Sequence, residues 1–336
     1  MSIAQSKSAI LLVGGFGTRL QPLTFQTPKP MLSVAGIPFT EHQIAKARSV
    51  GIEEIVLATS YRSEVFEPYF GDGAEFGIAI SYAVEKSALG TGGAIANAAK
   101  LLKHTGPVVI FNGDVLSSHD LQAQIALHIS GEADVTLHLT EVSDARAFGV
   151  VELLNNRIIT FNEKMENPPT NTINAGSYIF NREVIDLIPT DRVVSVERET
   201  FPELIARGRT LLGFIDSSYW LDIGTPAALL KATRDLIAGS AQSKAFDQLL
   251  EGQEFFVSEG SLIARSADIH PSAKIDAGSL ISSGVSIGEQ VIIHESVIFD
   301  GASVGAGASL TSTFVAANTE IPGGFIAENQ FFGFLE

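Results

Sequence analysis

From Ile263 onward, isoleucines stand at every sixth position: Ile263, Ile269, Ile275, Ile281, Ile287 and Ile293. Four residues after the first five come Ala267, Ala273, Ser279, Val285 and Val291. A period of six is neither the 3.6 of a helix nor the two of a half-buried strand. After Ile293 the register slips by one and continues at Ile298, Val304 and Leu310, with Ala302, Ala308 and Phe314 four residues beyond. Each six-residue rung places one aliphatic residue inside and a small one at the next corner, so stacked rungs share a core. The pattern predicts a left-handed parallel β-helix of hexapeptide repeats over residues 255–336. Ser240, Gln242, Ser243 and Lys244 mark a polar connection just ahead of it.

Residues 1–245 have a different texture. Residues 10–13 form a short β-prone run that ends in glycines, as a buried parallel strand does before a functional loop. Prolines at 22, 28, 30 and 38 keep the following stretch out of helix. Helical and strand patterns then alternate. Residues 41–50 read as a helix stopped by Gly51, Glu54–Thr59 and 78–83 as strands, and 92–102 as a helix. Residues 108–111 read as a strand ending at Asn112-Gly113-Asp114, Leu121–Ser130 as a helix and 134–141 as a strand. Such alternation predicts an α/β domain with a doubly wound, mostly parallel, Rossmann-like sheet. Ligands of these sheets sit at the carboxyl ends of the strands, where both the glycine loop at 14–19 and Gly113-Asp114 fall.

Composition removes whole classes of function. The 336 residues, 45% hydrophobic, can bury a core for one large and one smaller domain. A net charge of −16 repels nucleic acid. With no cysteine, disulfides, zinc thiolates and thiol catalysis are excluded. Apolar runs fall short of the about 20 residues a membrane span needs, and the start lacks the features of a signal peptide. A soluble cytoplasmic protein with small-molecule partners is expected.

In Leu11-Leu12-Val13-Gly14-Gly15-Phe16-Gly17-Thr18-Arg19-Leu20, glycines without Cβ let backbone amides approach a phosphate closely. The spacing matches neither the P-loop nor the dinucleotide fingerprint, and a tight strand-to-loop turn explains the glycines as well. Arg19 and Lys29, two cations on a proline-stiffened loop of an acidic chain, favour an anionic ligand. Asp114 ends a buried strand, where it suits either Mg²⁺ shared with substrate phosphates or an Asx turn. Asp222 suits the same ion or a loop near a helix start.

These residues also carry a family resemblance. Leu12-x-Gly14-Gly15-x-Gly17-Thr18-Arg19-Leu20-x-Pro22-Leu23-Thr24, followed by Pro28-Lys29-Pro30-Met31, resembles the signature of the sugar-1-phosphate nucleotidyltransferases. Further similar stretches follow in order. They are Glu85 with Leu89-Gly90-Thr91-Gly92-Gly93, Asn112-Gly113-Asp114, Phe148-Gly149-Val150-Val151, Phe161-x-Glu163-Lys164, Asn174-Ala175-Gly176-x-Tyr178 and Trp220-x-Asp222-x-Gly224-Thr225-Pro226. Within the family, several stretches are most similar to guanylyltransferases acting on mannose 1-phosphate. These are His42-Gln43, Thr59-Ser60-Tyr61, Ile173-Asn174-Ala175-Gly176 and the run from Ser195 to Pro202. Ser33 and Met165 stand where the family commonly has proline.

The resemblance implies a GT-A type fold for the first domain and an enzyme that joins GTP and mannose 1-phosphate to give GDP-mannose and pyrophosphate. It implies that Leu12, Gly14, Gly15, Gly17, Thr18 and Gly113 hold the nucleotide, with Arg19 on the leaving phosphates and Lys29 at the reacting centre. Glu85 and Gly90 would lie beside base and ribose, Gly149, Glu163 and Asn174 against sugar hydroxyls, and Lys164 on the sugar phosphate. Asp114 and Asp222 would hold Mg²⁺. The chemistry needs no enzyme nucleophile and no general base, because an anionic sugar phosphate attacks the α-phosphorus in line.

Other readings stay open. A manno-heptose 1-phosphate, or UTP or dTTP, would suit the same motifs. A silent nucleotide-sugar sensor would keep the fold, although intact Arg19, Lys29, Asp114, Lys164 and Asp222 argue against it. An acyltransferase in the β-helix would need a histidine, for which His270 and His294 are candidates that a solvated corner explains as well. The β-helix is expected to serve packing in a homo-oligomer.

Overall fold

The computed structural model describes residues 6–15, 17–59, 63–85 and 87–335. Phe16, Ser60 and Tyr61 of the motifs above lie outside the described residues. Packing divides the chain into two compact units, Met1–Gly15 with Gln43–Trp220, and Phe16–His42 with Leu221–Glu336.

The first unit is built on a nine-stranded sheet. Ala79–Val84, Glu54–Thr59, Ser8–Leu12 and Val108–Asn112 lie side by side in that order and are all parallel. Their apolar runs are covered on both faces: all of Glu54–Thr59 is buried, as are Ile10, Leu11 and Ile110. Burial on both faces is why these strands read as continuous hydrophobic runs rather than alternating ones. Their carboxyl ends lead into Gly14, Glu85 and Gly113-Asp114.

The rest of the sheet departs from the mostly parallel expectation, because the chain turns back on itself there. Thr172–Phe180 runs antiparallel to Val108–Asn112 and to Val135–Glu141, and Leu211–Ile215 runs parallel to Val135–Glu141. Arg157–Glu163 is antiparallel to Gly149–Leu154. A parallel neighbour needs a crossover of a dozen or more residues. Asn155 and Asn156 alone join this last pair, at φ of 52° and 63°, the two positive angles of a hairpin turn that asparagine tolerates.

In the second unit, the proline-bearing stretch is non-helical apart from two single 3₁₀ turns, Thr18–Leu20 and Lys29–Met31, and continues into the hairpin of Ser33–Val34 with Ile37–Pro38. The helices Pro226–Ile237 and Lys244–Glu251 follow, each started by a hydroxyl that accepts a main-chain N–H: Thr225 from Ala228 and Ser243 from Phe246.

Beyond them Phe255–Ser258 pairs antiparallel with Ser261–Ala264, so the parallel pattern expected from residue 255 starts at the second of these strands; from there on the short strands form three parallel stacks in which each strand pairs with the third one on. Ile263 pairs with Ile281, Ile269 with Ile287 and Ile275 with Ile293. The period-six residues therefore fall in register and fill one core with Val285, Val291, Ala302 and Ala308. The slip after Ile293 is a turn one residue shorter, since Ile281 then pairs with Ile298. At that corner Ser279 and Ser296 form a ladder. Ser296 N donates to Ser279 Oγ at 3.1 Å and Thr313 N to Ser296 Oγ at 3.0 Å. Buried backbone groups at the bend thus keep partners. Among the described residues, no helix is long and apolar enough to cross a membrane.

Candidate active site

In the first unit, Asp114 is placed by a turn that the sequence makes unusually tight. Gly113 N donates to Leu12 O at 2.9 Å. A Cβ on Gly113 would lie 2.3 Å from that oxygen, so the two strand ends meet only because residue 113 is glycine. Leu12 and Val13 are thereby brought against Gly113, next in the chain to the half-buried Asp114.

Glu85 follows the edge strand of the parallel group and accepts from Leu89 N at 3.1 Å through Oε2. Burial raises its carboxyl above the usual range, and this hydrogen bond partly offsets the shift. Gly90, expected beside base and ribose, opens the helix Gly90–Ala99 in close approach to Val194. A Cβ there would stand 2.4 Å from Val194 O. Thr91 Oγ1 donates to Glu197 Oε2 at 2.7 Å and accepts from Val196 N at 2.9 Å. The glycine loop and the segment from Ser195 are thus locked together across a hundred residues of sequence. Sequence reading picked out both motifs without seeing that they touch.

The residues expected on the sugar side lie close together in the same unit. Glu163 and Gly149 face each other across an antiparallel pair, and a Cβ on Gly149 would meet the Phe161 ring at 2.7 Å and Glu163 Oε2 at 3.0 Å. Lys164 N donates to Phe148 O at 3.0 Å, with Lys164 itself at φ 56°. A left-handed lysine is uncommon, and such backbone gathers at ligand sites. Its exposed Nζ stands 3.8 Å from Glu163 Oε1. Burial raises the Glu163 carboxyl, Glu197 adds to the rise, and Lys164 and Arg198 oppose it. Asn174 sits at an irregularity in Thr172–Phe180, where its Oδ1 accepts from Gly176 N and its Nδ2 donates to the buried Tyr178 hydroxyl at 2.8 Å.

In the second unit, Thr24 Oγ1 donates to Gly17 O at 3.0 Å. The loop folds so closely that a Cβ on Gly17 would touch Lys29 Cβ at 3.0 Å. Exposed Thr18 and Arg19 are therefore carried on the same small fold as Lys29. A Cβ on Gly224 would sit 3.0 Å from an Arg19 guanidinium nitrogen, which brings Arg19 beside the Asp222-Ile223-Gly224 stretch some two hundred residues away. Half-buried Asp222 has one carboxylate oxygen shielded from solvent.

The donor chemistry fits a hard divalent ion. Asp114 in the first unit and Asp222 in the second are each a carboxylate, and among the described residues no group of three or more His, Cys, Asp or Glu side chains that could hold a metal is found. One or two carboxylates completed by substrate phosphates is the arrangement Mg²⁺ favours. The histidines of the three-stack region are exposed: His270 Nδ1 lies 2.8 Å from Ser272 Oγ, and His294 Nδ1 lies 2.6 Å from Asp276 Oδ1.

Residues 8–239 match the family described as Nucleotidyl transferase, and residues 257–332 match the GMPPB C-terminal domain. The chain is 46% identical over 275 residues to the mannose-1-phosphate guanylyltransferase of Mycobacterium tuberculosis, covering 78% of this chain and 76% of that one. It is 37% identical over 249 residues to mannose-1-phosphate guanylyltransferase 1 of Arabidopsis thaliana, covering 73% and 68%. Among solved structures, a putative glucose-1-phosphate thymidylyltransferase from Bacillus anthracis superposes with a TM-score of 0.64 at 26% identity, covering 71% of this chain and 98% of that one. HddC from Yersinia pseudotuberculosis, solved with GMP-PN, superposes at 0.56 with 27% identity, covering 67% and 97%. The chain belongs to the nucleotidyl transferase family.

Proposed function

We propose that the protein is a mannose-1-phosphate guanylyltransferase, which joins mannose 1-phosphate and GTP into GDP-mannose and pyrophosphate. The observation that carries the substrate pair is the 46% identity to a relative of that name over 78% of the chain. The HddC complex with GMP-PN supports a guanine nucleotide.

The backbone at Leu12, Gly14, Gly15, Gly17, Thr18 and Gly113 holds the nucleotide, with Glu85 and Gly90 on the side of base and ribose. Gly149, Glu163 and Asn174 take sugar hydroxyls, and Lys164 takes the sugar phosphate. An oxygen of that phosphate attacks the α-phosphorus while the bond from the α-phosphorus to the bridging oxygen breaks, and pyrophosphate leaves. Arg19 neutralises the leaving phosphates and Lys29 the reacting centre, which matters in a chain of net charge −16. Asp114 and Asp222 would hold Mg²⁺, which would supply charge that screens the phosphates from each other. Positioning and charge neutralisation supply the catalysis.

We place the reaction in the cytoplasm, with its charged substrates. The three-stack domain is taken to coil left-handed and to serve a homo-oligomer. The exposed Ile292 and Ile326, 46% and 79% accessible in one outer row of the stack, support that role.

A pyrophosphate-release panel tests the assignment. GTP, ATP, UTP and dTTP are each offered with mannose, glucose and manno-heptose 1-phosphates in the presence of Mg²⁺. Release confined to GTP with mannose 1-phosphate is expected. Faster release with another pair would reassign the substrates, and binding of GDP-mannose with no turnover would make the protein a sensor.

The geometry at Gly149 adds a sharper expectation. Gly149→Ala drives a Cβ into the Phe161 ring at 2.7 Å and against Glu163 Oε2 at 3.0 Å, so both must shift and the KM for the sugar phosphate should rise about tenfold, roughly 1.4 kcal/mol, with a smaller loss in kcat. An unchanged KM would remove the Gly149–Glu163 pair from the sugar side.

A further inference from the structure

The turn that presents Asp114 is gripped from a residue to which the function assigns no role. Gln43 lies on the helix Phe39–Ser49, 6% exposed. Its side-chain amide nitrogen donates to Asn112 O at 2.8 Å and to Val115 O at 3.0 Å. These are the carbonyls on either side of Gly113-Asp114, so one NH₂ group closes both ends of the turn. The orientation is fixed chemically, because an amide oxygen facing two carbonyl oxygens would meet no donor. The price is visible: Gln43 Oε1 is buried without a hydrogen-bond partner among the described residues, which ordinarily disfavours a residue in that place.

One turn on, the same helix face supports the far end of the adjoining strand Val115–Ser117. Lys46 Nζ donates to Ser117 O at 2.8 Å and to His119 Nδ1 at 2.9 Å. With Gly113 N held by Leu12 O, the main chain around Asp114 is fixed on three sides.

We propose that Gln43 is a positioning residue for the divalent ion, holding the Asp114 carboxylate in place by clamping the carbonyls of Asn112 and Val115. The proposal rests on the reading of Asp114 as a ligand of that ion. Substrate is not touched by Gln43, and the effect is on the geometry of the ligand.

Calorimetric titration of Mn²⁺ into the full-length protein with a non-hydrolysable GTP analogue, set beside steady-state kinetics, tests it. Gln43→Met keeps the shape and removes both donors. It should raise the Mn²⁺ concentration at half-saturation about tenfold and lower kcat by a similar factor, with the KM for mannose 1-phosphate within about twofold of wild type. Wild-type Mn²⁺ affinity and kcat in a folded Gln43→Met protein would overturn the proposal, whatever its melting temperature. Asp114→Asn run in parallel separates the two readings. Wild-type Mn²⁺ affinity in that variant would remove Asp114 from the metal site, and the role of Gln43 with it. Should Gln43→Met not fold, the ¹⁵N-labelled side-chain amide of Gln43 in the wild type answers instead. Slow exchange with broadening by Mn²⁺ is expected, whereas fast exchange with no broadening overturns the clamp.

Discussion

Asp114→Asn should lower turnover by about a thousandfold while leaving the fold intact. Asparagine has nearly the same shape as aspartate, so the substitution removes a charge and little else. A carboxylate that holds a divalent ion among phosphates supports several kcal/mol of charge stabilisation in the transition state, on the order of 10³ in rate. The fold should survive because the turn is held through the main chain, by Gly113 N on Leu12 O and by the Gln43 amide on Asn112 O and Val115 O. Pyrophosphate release from GTP and mannose 1-phosphate, measured beside thermal melting, checks both halves. Turnover within tenfold of wild type would strike Asp114 from the metal site. A collapse in melting temperature would show that the carboxylate serves the fold as well.

That such a prediction could start from sequence depends on which features have a local signature. The strand Glu54–Thr59 and the helix Leu121–Ser130 lie where the hydrophobic pattern puts them, because burial on both faces or on one stripe writes itself into neighbouring residues. The three parallel stacks after residue 260 are legible for the same reason, in isoleucines at period six. The helix expected at 92–102 instead spans Gly90–Ala99. Its glycines are poor helix formers, and close packing of Gly90 and Gly92 on Val194 overrides that preference.

The motif residues could be named from their resemblance to a family signature, but their partners could not. Arg19 meets Gly224, Thr91 meets Glu197 and Gln43 meets Asn112 across long stretches of chain, and no local periodicity encodes those meetings. The antiparallel half of the sheet is hidden in the same way, apart from the two asparagines at 155 and 156 that turn its hairpin.

Buried histidines make the protein acid-sensitive well above the carboxylate range. His42 is 3% exposed. Its Nε2 faces Val34 O at 3.0 Å, so this nitrogen carries the proton, and Nδ1 accepts from Ser243 Oγ at 2.6 Å. Burial lowers its pKa to about 4, with the bond to Val34 opposing the shift. His138 stacks on His119 at 3.9 Å. Burial pushes His138 down to about 3, and Lys46 adds to the shift. His119 is lowered as well, chiefly by burial and then by Lys46. In each case the unfolded chain, at 6.5, binds the proton more readily than the folded one. The stabilisation is therefore complete above pH 6.5 and is lost as the pH falls toward 4 for His42 and toward 3 for His138. At roughly 1.4 kcal/mol per unit, His42 accounts for about 3 kcal/mol by pH 4, a large fraction of an ordinary domain's stability. Lys46, lowered to about 7 by burial against the pull of Asp216 and Asp120, acts in the same direction at higher pH. Its folded value lies below its unfolded one, so stability rises as the pH climbs from about 7 toward the ordinary lysine value. Urea unfolding at pH 8, 6.5, 5.5 and 4.5 should show a midpoint that falls at each step, with the steepest loss below 6.5. In His42→Gln, which keeps polar atoms in place without titrating, the acid limb should be shallower. A flat midpoint between pH 6.5 and 4.5 in the wild type, or an acid limb unchanged in the variant, would mean that His42 does not carry the effect.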